Sequence, residues 1–522
     1  MAVTTSEPPP ASSLPIIRLA ALRLTLIALV LGLCANVLFV NHPLGLNFPL
    51  FTLWTLAALL TLAALERVRP AWRNLWLAAP LIYFAAMTAV RAEPFVTFLN
   101  VCTALGLAML LAHLFASGSL ATFGVWDYVT APMLTSVDAG VVRPGLVLIA
   151  ARTEAVRPGG TSPRALAVLR GLVLAIPVVI VFTMLLTSAD VAFNKLILDT
   201  LRVFSLDDLP ELMLRLIVIG LVGWACLGGL AYALRDTLVP EGIEAKSNSA
   251  PLGFIEAAIV LSSVNLLFVA FVATQFRYFF GGQSNITVEG FTYAEYARRG
   301  FGELVIVAVS TLGLGLALQT FTRRQSASAV WGFNLLSAAL VGLTSIILAS
   351  AIQRLLLYEK AYGFTRLRTY PHVFMAWVGV LLGVFLITTV INRPRLFVFG
   401  TFLAGLGFVA TLNTLNTDAF IARQNIIRQQ QTGKLDAAYL ATLSDDAAPD
   451  LFPLLNNPDE ETRNVIGGAL HYRLSELDAL MPEAGWQGWH WARSRAYTAL
   501  NRRRAEIEQY EPQQYFWRVP ID

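Results

Sequence analysis

The chain has 522 residues, of which 56% are hydrophobic and only 14% charged, with a formal net charge of +4. A soluble domain carries about 25% charge, so a globule covering itself with polar surface is excluded, and the apolar surplus has to face lipid. The apolar residues are bunched into runs of helix-spanning length rather than alternating ten-residue segments, which excludes a β-barrel and predicts an all-α, polytopic membrane bundle.

About 20 apolar residues cross a hydrocarbon core of roughly 30 Å. Eleven stretches meet that length or come close to it: 16–40, 46–65, 75–91, 94–115, 165–187, 212–234, 254–276, 301–320, 327–352, 372–391 and 395–413. A polar, Pro-rich leader, 1–15, precedes the first, which lacks a cleavage site of small residues and reads as an uncleaved span. The fifth contains Pro177, which should kink it. Between the fourth and fifth, the mildly apolar stretch 140–151 is too short to span and fits an interfacial, re-entrant or ordinary loop helix. In the seventh, Asn265 is placed for an interhelical hydrogen bond. Cys34, Cys102 and Cys226 all fall inside spans without a Cys-x-x-Cys pair, so neither a disulfide nor a metal site is expected.

Charge suggests orientation. With the N terminus in the cytoplasm, the inside loops would hold Arg67, Arg69 and Arg73, then Arg143, Arg152, Arg157 and Arg164, then Arg323 and Arg324, then Arg393 and Arg395. The basic connection after the ninth span opposes this vote. Eleven spans put the C terminus outside.

Residues 414–522 differ in kind from the spanning region, 16–413. They hold eleven Lys and Arg against fifteen Asp and Glu, and read as a small soluble helical domain. "LSDDAAPDLFPLLNNPDEETRNVIGGAL" suggests an antiparallel helix pair of the kind found in HEAT repeats, its second helix opening at Asn457 and Pro458. Trp486, Trp489 and Trp491 are expected to pack a later helix on this pair, and Arg502–Arg504 reads as a solvated helix end rather than a nucleic-acid patch.

Ionisable residues at membrane depth invite a functional question. Three segments carry them: Asp190 in "LTSADVAFNK"; Arg277, Glu295, Arg298, Arg299 and Glu303 around "FTYAEYARRGFGEL"; and Arg354, Tyr358, Tyr362, Arg366 and Arg368 in "QRLLLYEKAYGFTRLRTYPH". Glu295, Arg299 and Glu303 recur at spacing four, as do Arg354, Tyr358 and Tyr362, so each set shares a helix face. Gly363 is placed to end one helix in a left-handed cap and Thr365 to start the next. The segments follow the fifth, seventh and ninth spans and therefore share one membrane face. A charged cluster there is expected, with a carboxylate of Asp190, Glu295 or Glu303 paired to Arg354, Arg366 or Arg368. It would serve as a structural clamp or as a binding or gating site.

The motifs "LTSADVAF", "FTYAEYARRGFGEL", "LYEKAYGFTRLR" and "IARQNI…GKLDAAYLATLSDDAAP", in this order, resemble a bacterial family of membrane proteins described as domain of unknown function 4173, related to the 4153 group. The resemblance runs from about residue 75 to about 455 and implies a multi-span protein of the bacterial inner membrane. It supplies no activity, cofactor or catalytic residue. No phosphate loop, metal pair or nucleophile arrangement appears in the sequence. The reading favoured is a non-enzymatic signalling or assembly protein whose tail contacts a protein partner. The alternatives are a transporter or channel and, after it, an enzyme acting on a lipid-linked substrate.

Overall fold

The computed structural model describes residues 14–148 with short breaks between 117 and 126, then 209–234, 252–280, 301–324 and 326–515, with isolated positions between 179 and 193. The chain is all-helical there, and nine helices are long and apolar enough to cross a membrane. These are α1 (Leu14–Phe39), α2 (Asn47–Leu65), α4 (Pro94–Leu114), α6 (Leu209–Ala233), α7 (Phe254–Phe280), α8 (Phe301–Phe321), α9 (Ala327–Tyr362), α10 (Arg366–Val390) and α11 (Pro394–Leu415). Between them lie α3 (Ala78–Met87) and α5 (Asp127–Val137). The fifth expected span, with Pro177, lies outside the described residues.

Within each span only 22–44% of the most apolar window is buried. Leu26, Val30 and Val37 on α1, and Leu266 and Leu267 on α7, point outward. The side chains that made the composition too apolar for water thus line the outside of the bundle, where a bilayer satisfies them. The chain is a multi-pass membrane protein.

The third expected span is built differently from its neighbours. A 3₁₀ helix, Trp72–Leu77, runs directly into the ten residues of α3. At 2.0 and 1.5 Å per residue the pair reaches about 27 Å. It matches α4 end for end: Asn74 donates to the Leu114 carbonyl (2.9 Å), and at the other end Thr97 donates to the Arg91 carbonyl (2.8 Å). The described part of the stretch 140–151, residues 140–148, belongs to a helical segment that continues α5 through a π turn, Asp138–Val142. Trp224 of α6 donates to the Gly140 carbonyl (2.6 Å), which ties this segment to the side of the bundle.

Three apolar cores hold the bundle: one among α7–α11, one among α3, α4 and α11, and one among α1, α2 and α6. α1 and α6 approach closely because Gly32 faces Gly223; a Cβ on Gly32 would lie 2.5 Å from the Ile219 carbonyl oxygen. Asn265 donates to the Leu336 carbonyl (3.0 Å), the interhelical bond expected of it.

The faces of the bundle follow from these contacts. Asn41, beyond α1, donates to Glu211 at the start of α6 (2.9 Å), and Leu252, before α7, bridges to Thr322, after α8. The ends of α1, α3, α7, α9 and α11 therefore share one face. α9 is 36 residues long, about 54 Å, far more than a hydrocarbon core needs. Its last ten residues, from Gln353, project beyond the apolar stretch.

On that face sit α12 (Thr417–Thr432), α13 (Ala437–Ala441), a 3₁₀ helix (Ala448–Asn456), α14 (Glu460–Ala484), α15 (Trp491–Arg502) and α16 (Arg504–Ile507). They enclose their own apolar core, which includes Ile421, Leu451, Ile466 and Leu500. Three details differ from the sequence reading. The first member of the helix pair is 3₁₀, with Pro449 in its first turn and Pro453 inside it, where a backbone donor is missing. The second opens two residues later, with Asp459 rather than Asn457 as its cap; the Asp459 carboxylate accepts from the Thr462 N–H (3.0 Å). Trp486, Trp489 and Trp491 do not pack a helix pair; they remain 55%, 43% and 41% exposed.

Candidate functional site

The charged residues concentrate where the C-terminal helices meet the bundle. The turn between α9 and α10 shows how the backbone prepares the contact. Gly363 stops α9 at φ +84° and ψ 177°, a region open essentially to glycine alone. This is an extended positive-φ turn rather than the helical left-handed cap that the sequence suggests. It delivers Phe364 to Asn425 of α12, which accepts from its N–H (3.0 Å) and donates to its carbonyl (2.8 Å). Arg428, one turn further on α12, donates to the last carbonyls of α9, at Lys360 (3.0 Å) and Ala361 (2.7 Å). These carbonyls lack helical partners, so a cation is well placed there.

Thr365 then starts α10, as expected, although without a side-chain cap bond. Arg366 forms a two-pronged pair with Asp418, Nε to Oδ1 at 2.8 Å and Nη2 to Oδ2 at 2.5 Å, and its Nε lies 3.5 Å from Glu93. Its backbone N–H donates to the Tyr439 hydroxyl (2.8 Å). Asp418 is fully buried and also accepts from the Ser444 N–H (2.7 Å). Glu93 caps α4 by accepting from the Val96 N–H (2.6 Å).

A second carboxylate repeats the arrangement one loop away. Asp446 accepts from the backbone of Ala92 (2.6 Å) and Glu93 (3.2 Å) and pairs with Arg91 at 3.4 Å. Arg91 also donates to the Asn413 carbonyl (2.7 Å), and Asn413 and Asn100 exchange side-chain hydrogen bonds in the buried seam between α4 and α11. Burial pushes Asp446 up to about 6 against the opposing pull of the Ala92 N–H and Arg91. Glu93 is raised as well, by burial first, with the Val96 N–H opposing. A cavity of about 300 Å³ adjoins the cluster, lined by Glu93, Phe95, Thr365, Arg366, Leu367, Tyr370 and Tyr439.

A charged cluster does surround Arg366, but it is not the expected one: its described carboxylates are Glu93 and Asp418, and neither Asp190 nor Glu303 takes part. Arg368 supports it, lying over the Tyr358 ring (4.1 Å) and near that of Tyr362 (5.8 Å) while donating to the carbonyls of Tyr362 and Gly363. Arg354 is half-buried on α9, about two turns earlier. Asp190 is exposed and accepts from the Phe193 N–H (2.7 Å) in its own turn, and Glu303 is exposed in the first turn of α8. Glu295, Arg298 and Arg299 lie outside the described residues, and so does the side chain of Arg277. Among the described carboxylates, Glu93 and Asp418 are the ones that meet Arg366. The sequence reading missed Arg91, Glu93, Asp418 and Asp446. Glu93 and Pro94 do carry a helix-start signal, and Asp418 sits at the hinge between α11 and α12; neither feature names its partner.

Neither the curated proteins nor the solved structures contain a match to this chain. The family model described as domain of unknown function 4153 matches residues 78–454, a range that includes Arg91, Glu93, Arg366, Asp418 and Asp446. It is the 4153 model, rather than the related 4173 group, that the match shows. With well over half of its length inside that match, the chain belongs to the DUF4153 family.

Proposed function

We propose that this is a non-enzymatic protein of the bacterial inner membrane in which the C-terminal helices form a fixed platform for a protein partner in signalling or assembly. The carrying observation is the way the platform is held. Arg366, Glu93 and Asp418 make a buried ionic knot between α10, α4 and α12, and Asp446 reads the backbone of the α3–α4 turn. A tail tethered only by a linker would not need such contacts. The orientation proposed is N terminus in the cytoplasm and platform outside. Arg67, Arg69, Arg73, Arg323, Arg324, Arg393 and Arg395 lie on the face away from the platform, and an excess of positive charge favours the cytoplasmic side. On the platform's face, Arg91 and Arg366 are engaged with carboxylates, which accounts for the opposing vote of the α9–α10 connection.

A transporter is the second reading. The cavity at membrane depth, about 780 Å³ between α4, α8, α10 and α11, is lined by Leu, Phe, Val and Gly with a few hydroxyls such as Thr103 and Thr401. Such a lining suits a hydrocarbon better than a polar solute. Photo-cross-linking residues introduced at Asn464 and Ser475, both exposed on α14, test the first reading in living cells. One product of the same mass from both positions, together with loss of phenotype on deleting 417–522, is expected. No product combined with a silent deletion would overturn it. Reporter fusions after Arg73 and at the C terminus should report opposite compartments.

A further inference from the structure

A second cavity on the platform's face, of about 440 Å³, lies where three connections meet: Leu44 before α2, Thr88–Val101 around the α3–α4 turn, and His490–Arg493 at the start of α15. Its wall divides by chemistry. Arg91 and Arg493 supply donors, with His490, Thr88 and Thr97 beside them; Leu44, Pro94, Phe98 and Val101 supply hydrocarbon; among the described residues no carboxylate lines it.

The cations are fixed but not used up. Arg91 spends Nε on the Asn413 carbonyl and Nη1 on Asp446. Arg493 spends Nη1 on the Leu44 carbonyl (3.1 Å). A guanidinium offers five N–H donors, so both retain capacity for an anion. The other nearby carboxylate, Asp445, is paired to Arg473 at 3.2 Å. His490 holds the two arginines in register: its Nδ1 accepts from the Arg493 N–H (3.4 Å) and its Nε2 donates to the Arg91 carbonyl (3.2 Å). Those two roles require the neutral ring.

The height of the cavity is also fixed. Leu46 and Asn47, which open α2, donate to the carbonyls of Trp489 (2.9 Å) and Gln487 (2.8 Å), and Trp491 donates to the Ala89 carbonyl (2.8 Å). The turn carrying the three exposed tryptophans is therefore stitched to the ends of membrane spans, at the level where aromatic belts sit. From the same level the wall descends along α4 through Phe98, 60% exposed, to Val101.

We infer that this cavity binds the phosphate headgroup of an anionic bilayer phospholipid, with Arg91 and Arg493 on the phosphate and an acyl chain along Phe98 and Val101. A guanidinium matches a phosphate diester in shape as well as charge, and the apolar wall separates a lipid from a free anion. The platform supplies one arginine and the bundle the other, so the lipid would join the two.

The test uses the full chain purified in detergent and titrated with phosphatidylglycerol, phosphatidylcholine or inorganic phosphate, followed by thermal unfolding. Phosphatidylglycerol should stabilise far more than phosphatidylcholine. Arg493→Gln should weaken its apparent affinity about tenfold, as loss of a charge-assisted contact does. Arg493→Lys should restore part of it, and Arg395→Gln, exposed on the other face, should change nothing. Equal effects of the two lipids, or an unaltered preference in Arg493→Gln, would overturn the inference; stabilisation by inorganic phosphate alone would replace the lipid with a soluble ligand. Should Arg493→Gln not fold, a photoactivatable phosphatidylglycerol on the unaltered chain decides: labelling within 88–101 or 490–493 supports the site, and labelling elsewhere only refutes it.

Discussion

The bundle and the platform are both helical, yet they solve the problem of polar groups in opposite ways. Inside the bundle, hydroxyls turn back on their own helix: Thr52, Thr55 and Thr344 donate to carbonyls one turn earlier, which satisfies the side chain without asking for a neighbour. In the platform, polar side chains hold the helix ends, with Asp436, Asp459 and His490 capping α13, α14 and α15. The bundle turns its apolar side chains outward; the platform turns Ile466, Leu470 and Leu474 of α14 inward. The difference teaches that the seam between them is the demanding place. There, side chains have neither water nor their own helix to bond, and charges have to be matched across distant parts of the chain.

The comparison breaks most clearly at Asp418. Asp418→Ala strands Arg366 with Glu93 alone and frees the Ser444 N–H. Removing one partner of a buried pair costs about 3–5 kcal/mol, so a large fall in thermal midpoint is expected, with proteolysis appearing first between 416 and 436. An unchanged midpoint would mean that the seam contributes little.

A smaller loss should follow Gly363→Ala. Backbone at φ +84° costs an L-residue about 1–3 kcal/mol, and the added Cβ would press on the Asn425 side-chain oxygen. The same substitution at Gly433, also at positive φ but with open space around it, should cost less; equal losses would show that the α9–α12 contact plays no part.

The gentlest probe is pH. Asp446 is raised from 3.8 to about 6 and Glu93 is raised as well. A carboxyl raised on folding favours the protonated native state, so its contribution is complete below about pH 4 and disappears as pH rises through about 6. Between pH 5 and 7.5 Asp446 alone gives about 1 kcal/mol. Release of the platform by protease should therefore be slower at pH 5 than at pH 7.5. Asp446→Asn should flatten that difference; a dependence of opposite sign would show that the seam's carboxylates favour their ionised forms.

Much of this fold is legible in the sequence because lipid imposes a one-dimensional rule. A run of twenty apolar residues has to be a helix, and parity then places the connections after the seventh and ninth spans on one face. Arg366 was legible for the same reason, as a charge at a span end. Its partners were not. Glu93 lies 273 residues before it and Asp418 52 residues after it, and nothing in local spacing couples such positions. Asp190 and Glu303 illustrate the converse: acidic residues at span ends can simply face outward. The tryptophans were misread because an aromatic cluster in a polar tail looks like core, whereas the backbone of that turn is stitched to the ends of α2 and α3.

The seam also has a consequence in time. Arg91 and Asp446 are 355 residues apart, so at 5–20 residues per second the ribosome makes the first about 20–70 s before the second. Throughout that interval Arg91 waits at the edge of a growing bundle without its carboxylate, and for the 273 residues up to Arg366 Glu93 waits without its guanidinium. Closure of the seam is therefore a late event in biosynthesis, one that only a chain translated past Asp446 can complete, and a product truncated before it would expose unmatched charge where a membrane protease can reach it.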